Sequence, residues 1–427
     1  MKCTKYVLPN GLRLLLIPMP NLESVTVTVW NRVGSRYETP RINGLAHFYE
    51  HIVFKGGKKY PTAREVSEAV DSFGGEFNAS TGKEITQFYI KSHTDKLENA
   101  LDILSDIVLS PKLDSEDIAR EKGVIKAEID MYEDTPIRKI EEYYENLLYR
   151  GNPLEYDIAG TKQSIDAIGR RDFAKFMTEH YHTGNMLITV AGGTNVRKTK
   201  SLVSDYFSQL KKAKLTHPKP FHLKQNRPQL EVKHKKTDQA HFILGYMGYP
   251  AGHKDRYSEA VLMSILGGGM SSRLFTEVRE KRGLAYAVKT YTDHYSDTGC
   301  FSTYAGTTPS QASEAIRTIL SEYKKISSIK DCHISGKELR KAKGYLKGQI
   351  ALSLEDTSAV NQFFGVEELL LGKTRSVREV FTAIDRVTVP EIASFAKRTF
   401  VPSRLNLAVL GPFKSESKFE ALLRRNS

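Results

Sequence analysis

The sequence predicts a duplicated α/β chain, two related domains joined by a basic linker, and three observations point to it. A length of 427 residues, at roughly 100 to 200 residues per domain, makes two or three domains with real cores. Residues 213–228 (AKLTHPKPFHLKQNRP) carry three prolines and several bases with no helical or strand periodicity, which is linker composition. The two halves also close alike: HYHTGNMLITVAGG (180–193) aligns with TFVPSRLNLAVLGP (399–412) at a constant offset of 219, matching Val190 with Val409 and Gly192 with Gly411. Each half opens on a β-branched strand pattern, 25–30 in one and 241–246 in the other. The expected domains are therefore 1–212, a linker over 213–228, and 229–427.

Within the first half the elements follow in order. Residues 44–55 lack breakers after Gly44 and stop at Gly56-Gly57, a helix with a glycine end. Thr62 and Glu65 form a capping box before Val66, Ala69 and Val70, and Gly74-Gly75 ends that second helix. Residues 76–90 read as two strands around a Gly82-Lys83 turn. A helix from Asp95 to about Leu109 puts Leu97, Leu101, Leu104 and Val108 on one face, and another, capped by Asp114 or Ser115, runs to about Glu133.

Composition excludes several classes. Hydrophobic residues are 40% and charged residues 26%, which is ordinary globular usage rather than a disordered or collagen-like chain. No window approaches 18 consecutive apolar residues, so no membrane span, signal or transit segment is expected. Cys3, Cys300 and Cys332 are scattered without C-x-x-C spacing, which implies neither a disulfide framework nor a thiolate zinc site and makes a reducing cytoplasm the default. The net charge is +13, but nine of the basic residues against one acid fall within Lys211–Lys236. The basicity is thus local to the linker region, and a nucleic-acid partner is not expected.

The chemistry lies on the first helix. His47, Glu50 and His51 form H-x-x-E-H, and at about 100° per residue all three fall within roughly 100° of one helical face. Imidazoles at i and i+4 can grip one metal, while the carboxylate between them is aimed as a general base for activated water. About 0.02 such matches are expected by chance at this composition, and the pattern is the inverse of H-E-x-x-H. A catalytic zinc needs a third protein ligand. Glu121 and Glu128 share a face of the helix after Asp114, flanked by Ile125 and Ile129, and spacing alone does not choose between them. Other signals are weaker. Gly267–Gly269 could cradle a phosphate or make a turn, Gly372-Lys373-Thr374 fails as a P-loop because position 367 is Glu, and His180 with His182 reads as a packing or surface pair rather than a metal pair.

The segment GLAHFYEHIVFKG, the later Glu128, and REKGVIKAEIDMYEDTP around it resemble the pitrilysin/insulinase family of zinc peptidases, in the short-chain branch that includes mitochondrial processing peptidases. LGGGMSSRLFTEVREKRGLAYAV (266–288) resembles the family's second-half signature. The resemblance spans about residues 10 to 412 and implies an α+β fold of two homologous domains, each a mostly antiparallel sheet packed by helices, forming half of a clamshell chamber. It also implies one zinc per chain on His47, His51 and Glu128, Glu50 as base, and Glu121 as a supporting acid. Arg279 and Tyr286 would hold the substrate near the scissile bond, and the strand Phe77, Asn78, Ala79, Ser80 and Thr81 would receive the peptide.

The expected activity is endopeptidase hydrolysis of unfolded peptides, with Glu50 passing a proton from water to the leaving amine and Tyr286 steadying the oxyanion. Because family members of double length build the chamber from four such domains, a homodimer sharing its sites between chains is expected, in a bacterial cytoplasm and with no membrane partner. The competing expectation is a catalytically idle scaffold or processing-complex subunit of the same family.

Overall fold

The computed structural model describes residues 1–327 and 332–425. The first half of the chain supplies β1 (Thr4–Val7), β2 (Arg13–Pro18), β3 (Ser24–Asn31), α1 (Leu45–Val53), α2 (Ala63–Asp71), β4 (Glu76–Thr81), β5 (Thr86–His93), α3 (Leu97–Leu109), α4 (Ser115–Glu133), α5 (Pro136–Leu148), α6 (Lys162–Ala167), α7 (Arg170–His180), β6 (Met186–Gly192) and α8 (Val196–Tyr206). The second supplies β7 (Gln229–His234), β8 (Ala240–Met247), α9 (Arg256–Gly267), β9 (Ala285–His294), β10 (Gly299–Thr307), α10 (Ala312–Ser327), α11 (Gly336–Ser353), α12 (Thr357–Leu371), α13 (Val377–Arg386), α14 (Val389–Thr399), β11 (Leu405–Gly411) and α15 (Ser417–Arg425).

Among the described residues the strands form a sheet of order β1-β2-β6-β3-β5-β4 and a second of order β7-β11-β8-β10-β9. In each, one neighbouring pair is parallel, β2 with β6 and β7 with β11, and the others are antiparallel. The second order repeats the first without a counterpart of β1. The duplication is thus visible in topology, and the closing elements keep the offset read from the sequence: β11 repeats both ends of β6 at that offset, and α14 repeats both ends of α7.

Two compact units result, but they are not the contiguous halves expected. One comprises Met1–Met131, Tyr156–Lys219 and Ser353–Val377, the other Tyr132–Glu155, Pro220–Leu352 and Arg378–Ser427. The boundaries 1–212 and 229–427 are therefore corrected. Helix α5 belongs with the second sheet and α12 with the first. Helical periodicity shows that a helix buries one face without showing which sheet it covers. The linker is divided too. Residues 213–228 form no helix or strand, as expected, yet Thr216 N donates to Asn185 Oδ1 (2.8 Å) in the first unit and Phe221 N to Asp297 Oδ2 (2.8 Å) in the second.

Strand alternation explains how the first unit is layered. Val25, Val27 and Val29 join Phe88, Ile90, Leu101, Leu104 and Val108 in the main core, while Thr26, Thr28 and Trp30 project to the other face, under α12. Covered on both faces, β6 (MLITVAG) is buried along its whole length. Asn361 of α12 donates to Thr26 O (2.8 Å) and to Thr28 Oγ1 (3.1 Å), and its Glu368 meets Lys5 (2.6 Å) and Arg13 (3.2 Å). Gly365 allows the close approach, since a Cβ there would lie 2.6 Å from Trp30 Cε2.

Candidate metal centre

Helix α1 places the motif because its apolar residues fall at i, i+3, i+4 and i+7. Leu45, Phe48, Tyr49 and Ile52 enter the core, and His47, Glu50 and His51 turn to the other side. Gly44 starts the helix in a left-handed conformation (φ 93°), and a Cβ there would lie 2.6 Å from Ala159 O. The helix ends at Val53, short of the expected Lys55. The buried carboxylate of Glu38 accepts from Gly44 N (2.7 Å), Ala46 N (2.6 Å) and Asn43 Nδ2 (3.0 Å), satisfying donors at the helix start. Nothing in the spacing of the sequence links Glu38 to the start of α1.

Helix α4 brings the acids. Ile118 and Ile125 anchor it in the core, which turns Glu121 and Glu128 toward α1. His47 Nε2 and His51 Nε2 are 3.3 Å apart, and Glu128 Oε2 is 3.6 Å from each. Zinc bonds of about 2.0 to 2.1 Å at tetrahedral angles separate donor atoms by about 3.3 to 3.4 Å, so this donor set fits one such ion with little rearrangement. These three form the only group of at least three potential metal-binding side chains among the described residues. Burial and the neighbouring His51 hold His47 well below the usual imidazole range, at about 4, so the ring is neutral, as a ligand must be.

Glu121 occupies a different place from Glu128. It is buried, with Oε1 2.8 Å from His51 Nδ1 and Oε2 2.6 Å from Lys55 Nζ. Burial pushes its carboxyl up, but the hydrogen bonds from His51 and Lys55 outweigh that and hold it below the ordinary value. Spacing along α4 leaves the two glutamates equivalent and the family resemblance gives the metal to Glu128; in the fold Glu128 faces both Nε2 atoms, and Glu121 backs the far nitrogen of His51. Lys55 was not singled out from sequence; its i+4 spacing from His51 was the available signal.

Glu50 lies beside this triad. Burial raises its carboxyl, the Thr81 hydroxyl and His51 oppose that, and Glu128 adds to it, leaving a net upward shift. Thr81 Oγ1 donates to Glu50 Oε2. The strand expected to receive peptide, β4, is the edge strand of its sheet, and its side chains alternate between exposed Glu76, Asn78 and Ser80 and half-buried Phe77, Ala79 and Thr81. Phe77 packs edge-on against Phe54, at the end of α1.

Arg279 and Tyr286 belong to the second unit and meet each other there. Arg279 sits in a π-helical turn, Phe275–Glu280, with its guanidinium 4.8 Å from the Phe275 ring centre and 5.0 Å from that of Tyr286. Tyr286 is 78% exposed at the start of β9. Both line a cavity of about 700 Å³ whose walls include Tyr144, Glu145 and Tyr291. His180 packs edge-on against Tyr37 and tilted against Phe176, and His182 Nδ1 accepts from Gly184 N, consistent with packing. No helix among the described residues is long and apolar enough to cross a membrane.

Comparisons with known proteins place this arrangement in a family. The uncharacterized zinc protease YmxG of Bacillus subtilis is 34% identical over 96% of this chain and 98% of its own. The uncharacterized zinc protease SCO5738 of Streptomyces coelicolor is 35% identical over 96% of this chain and 90% of its own. A crystal structure of a protease from Helicobacter pylori superposes with a TM-score of 0.90 at 26% identity, covering 96% of this chain and 99% of that one. Residues 167–346 match the family described as the peptidase M16 inactive domain, a stretch that holds none of His47, His51 and Glu128. Residues 13–162, which hold all three, match insulinase (peptidase family M16), and with relatives aligned end to end the chain belongs to the pitrilysin/insulinase family, M16.

Proposed function

We propose that the chain is a zinc metalloendopeptidase acting on unfolded peptides. The observation that carries this reading is the spacing of His47 Nε2, His51 Nε2 and Glu128 Oε2, between 3.3 and 3.6 Å, with Glu50 on the same helix face. A bound zinc supplies Lewis-acid polarisation of the scissile carbonyl and brings the pKa of water to about 7. Glu50 accepts the proton of the attacking water and delivers it to the leaving amine, while the Thr81 hydroxyl fixes its Oε2. The open edge of β4 suits an extended peptide added as a further strand, whose main-chain hydrogen bonds carry little sequence preference. Arg279 and Tyr286 supply donors for the peptide and the developing oxyanion. The test is cleavage of a quenched, unstructured peptide with metal analysis of the same sample. One zinc per chain is expected, and a chelator should abolish cleavage, which zinc restores; chelator-resistant cleavage, or none with zinc present, rejects the reading.

The same proposal extends to a homodimer, in the bacterial cytoplasm, in which the triad of one chain works with Arg279 and Tyr286 of the other. Glu50→Gln and Tyr286→Phe, each severely impaired alone, should recover roughly a quarter of wild-type activity when subunits exchange at random, because half the dimers then hold one intact site. An exchanged mixture that stays inactive rejects sharing and leaves the metal assignment in place.

A further inference from the structure

Lys55 lies outside the H-x-x-E-H motif, just beyond the end of α1. Its Nζ is 2.6 Å from Glu121 Oε2, and the other oxygen of that carboxylate is 2.8 Å from His51 Nδ1. Glu121 is only 3% exposed, so water is poorly placed to substitute for either partner. A buried carboxylate that loses the ammonium paired with one of its oxygens bears a desolvation cost and is free to turn. That turn releases the Nδ1 hydrogen of His51, and with it the direction in which Nε2 presents its lone pair. The second histidine offers no reserve: His47 Nδ1 is buried without a hydrogen-bond partner. Among the described residues, support for the imidazole pair therefore runs through Glu121.

We infer that Lys55 is a positioning residue for the metal centre, holding Glu121 so that His51 Nε2 is aimed at the point shared with His47 and Glu128. This rests on the zinc reading above. It assigns to Lys55 a contribution to metal affinity rather than contact with substrate.

The experiment measures zinc affinity by competition with a chromogenic chelator in the full chain, for wild type, Lys55→Met, Lys55→Arg, Glu121→Gln and the Lys55→Met/Glu121→Gln double variant. Melting curves of the zinc-free proteins accompany it. Lys55→Met keeps the aliphatic stem and should raise the zinc Kd roughly 10- to 100-fold, the range for partners behind a metal ligand. Lys55→Arg, which can still pair with the carboxylate, should stay within about threefold of wild type. In the Glu121→Gln background the added Lys55→Met should change Kd by no more than about twofold, because its route to His51 is already cut. A lysine that only tethers α1 to α4 would lower the zinc-free melting temperature and leave Kd unmoved, which overturns the inference. Full additivity in the double variant also overturns it. If wild type itself binds no zinc, the metal reading falls and the role of Lys55 falls with it, whereas tight binding by both wild type and Lys55→Met rejects Lys55 alone.

Discussion

Helix α4 of the first unit carries Glu121 and Glu128, whereas α11 of the second, aligned with it from Ser115 and Gly336 onward, carries Ala342 and Gln349 at the matching places. Aligned likewise from their first residues, α1 and α9 put Ser258, Val261 and Leu262 where His47, Glu50 and His51 stand. The same topology thus holds a set of potential metal donors once and an apolar or neutral set once. The buried faces differ as well. Register pairs Trp30 with Leu187 in one sheet, and in the other pairs Gly245 with Asn406, the counterpart of Leu187 when β6 is laid on β11. On the exchanged helices, aligned from their first residues, Gly365 of α12 stands where α5 has Tyr144. The bulk sits on the strand in the first unit and on the helix in the second, where the Tyr144 hydroxyl meets Oγ of Ser302, the register partner of Gly245, at 2.9 Å. Around these pairs the first unit uses Thr26, Thr28, Thr357 and Asn361, and the second uses Ile243, Met247, Ala408 and Leu410. What is shared is one aromatic ring set against a glycine at the helix–sheet contact; which side carries the ring, and what polarity surrounds it, differs between the units.

The comparison makes its largest demand at the donor set. Glu50→Gln should keep about one zinc per chain and lose hydrolysis by about 10²- to 10⁴-fold, since the amide is nearly isosteric but accepts no proton. Glu128→Ala should lose the metal along with activity. Metal analysis of the two variants checks both, and a Glu50→Gln protein without zinc beside an active Glu128→Ala protein would reverse their roles.

A smaller effect is expected where the exchanged helix packs. Gly365→Ala forces a methyl into the Trp30 ring and should destabilise the protein by about 1 to 3 kcal/mol, read from denaturant unfolding. Trp30→Phe should relieve part of that loss when combined with it. If Gly365→Ala is neutral, the strand-side bulk is not what demands glycine on α12.

A pH-dependent effect concerns two buried glutamates. Glu38 is satisfied by three N–H donors, which oppose but do not cancel the effect of burial, so its carboxyl still rises to about 7, while both carboxylate oxygens of Glu259 in α9 are buried without a hydrogen bond, with His294 Nε2 3.7 Å away. Burial, and secondarily Asp255, push the Glu259 carboxyl up to about 8. The folded chain then binds this proton more tightly than the unfolded chain, so stability falls as pH rises from the ordinary glutamate range through about 8. Glu259→Gln should flatten that part of the melting-temperature profile. An unchanged slope would assign it to other groups.

Much of this was legible in the residues. The H-x-x-E-H spacing placed three candidate side chains on one face because helical geometry is local and periodic. Thr62 with Glu65 marked a helix start, and Thr62 does accept from Glu65 N, because a cap is a contact between near neighbours. The strand pair read over 76–90, which the structure extends to His93, and the constant offset between closing strands are likewise patterns within short stretches of chain. The tertiary structure alone decided what depends on distant segments meeting. It assigned α5 and α12 to sheets built mainly from the opposite half, since an apolar stripe is indifferent to which apolar surface covers it. It put Glu38 at the start of α1, set the distances of Glu128 and Glu121 from the two imidazoles, which helical spacing leaves open, and joined Lys55 to Glu121. Those contacts rest on side-chain directions and distances of a few ångströms, set by how α1 and α4 settle on one core, and residue spacing along either helix carries no record of that placement.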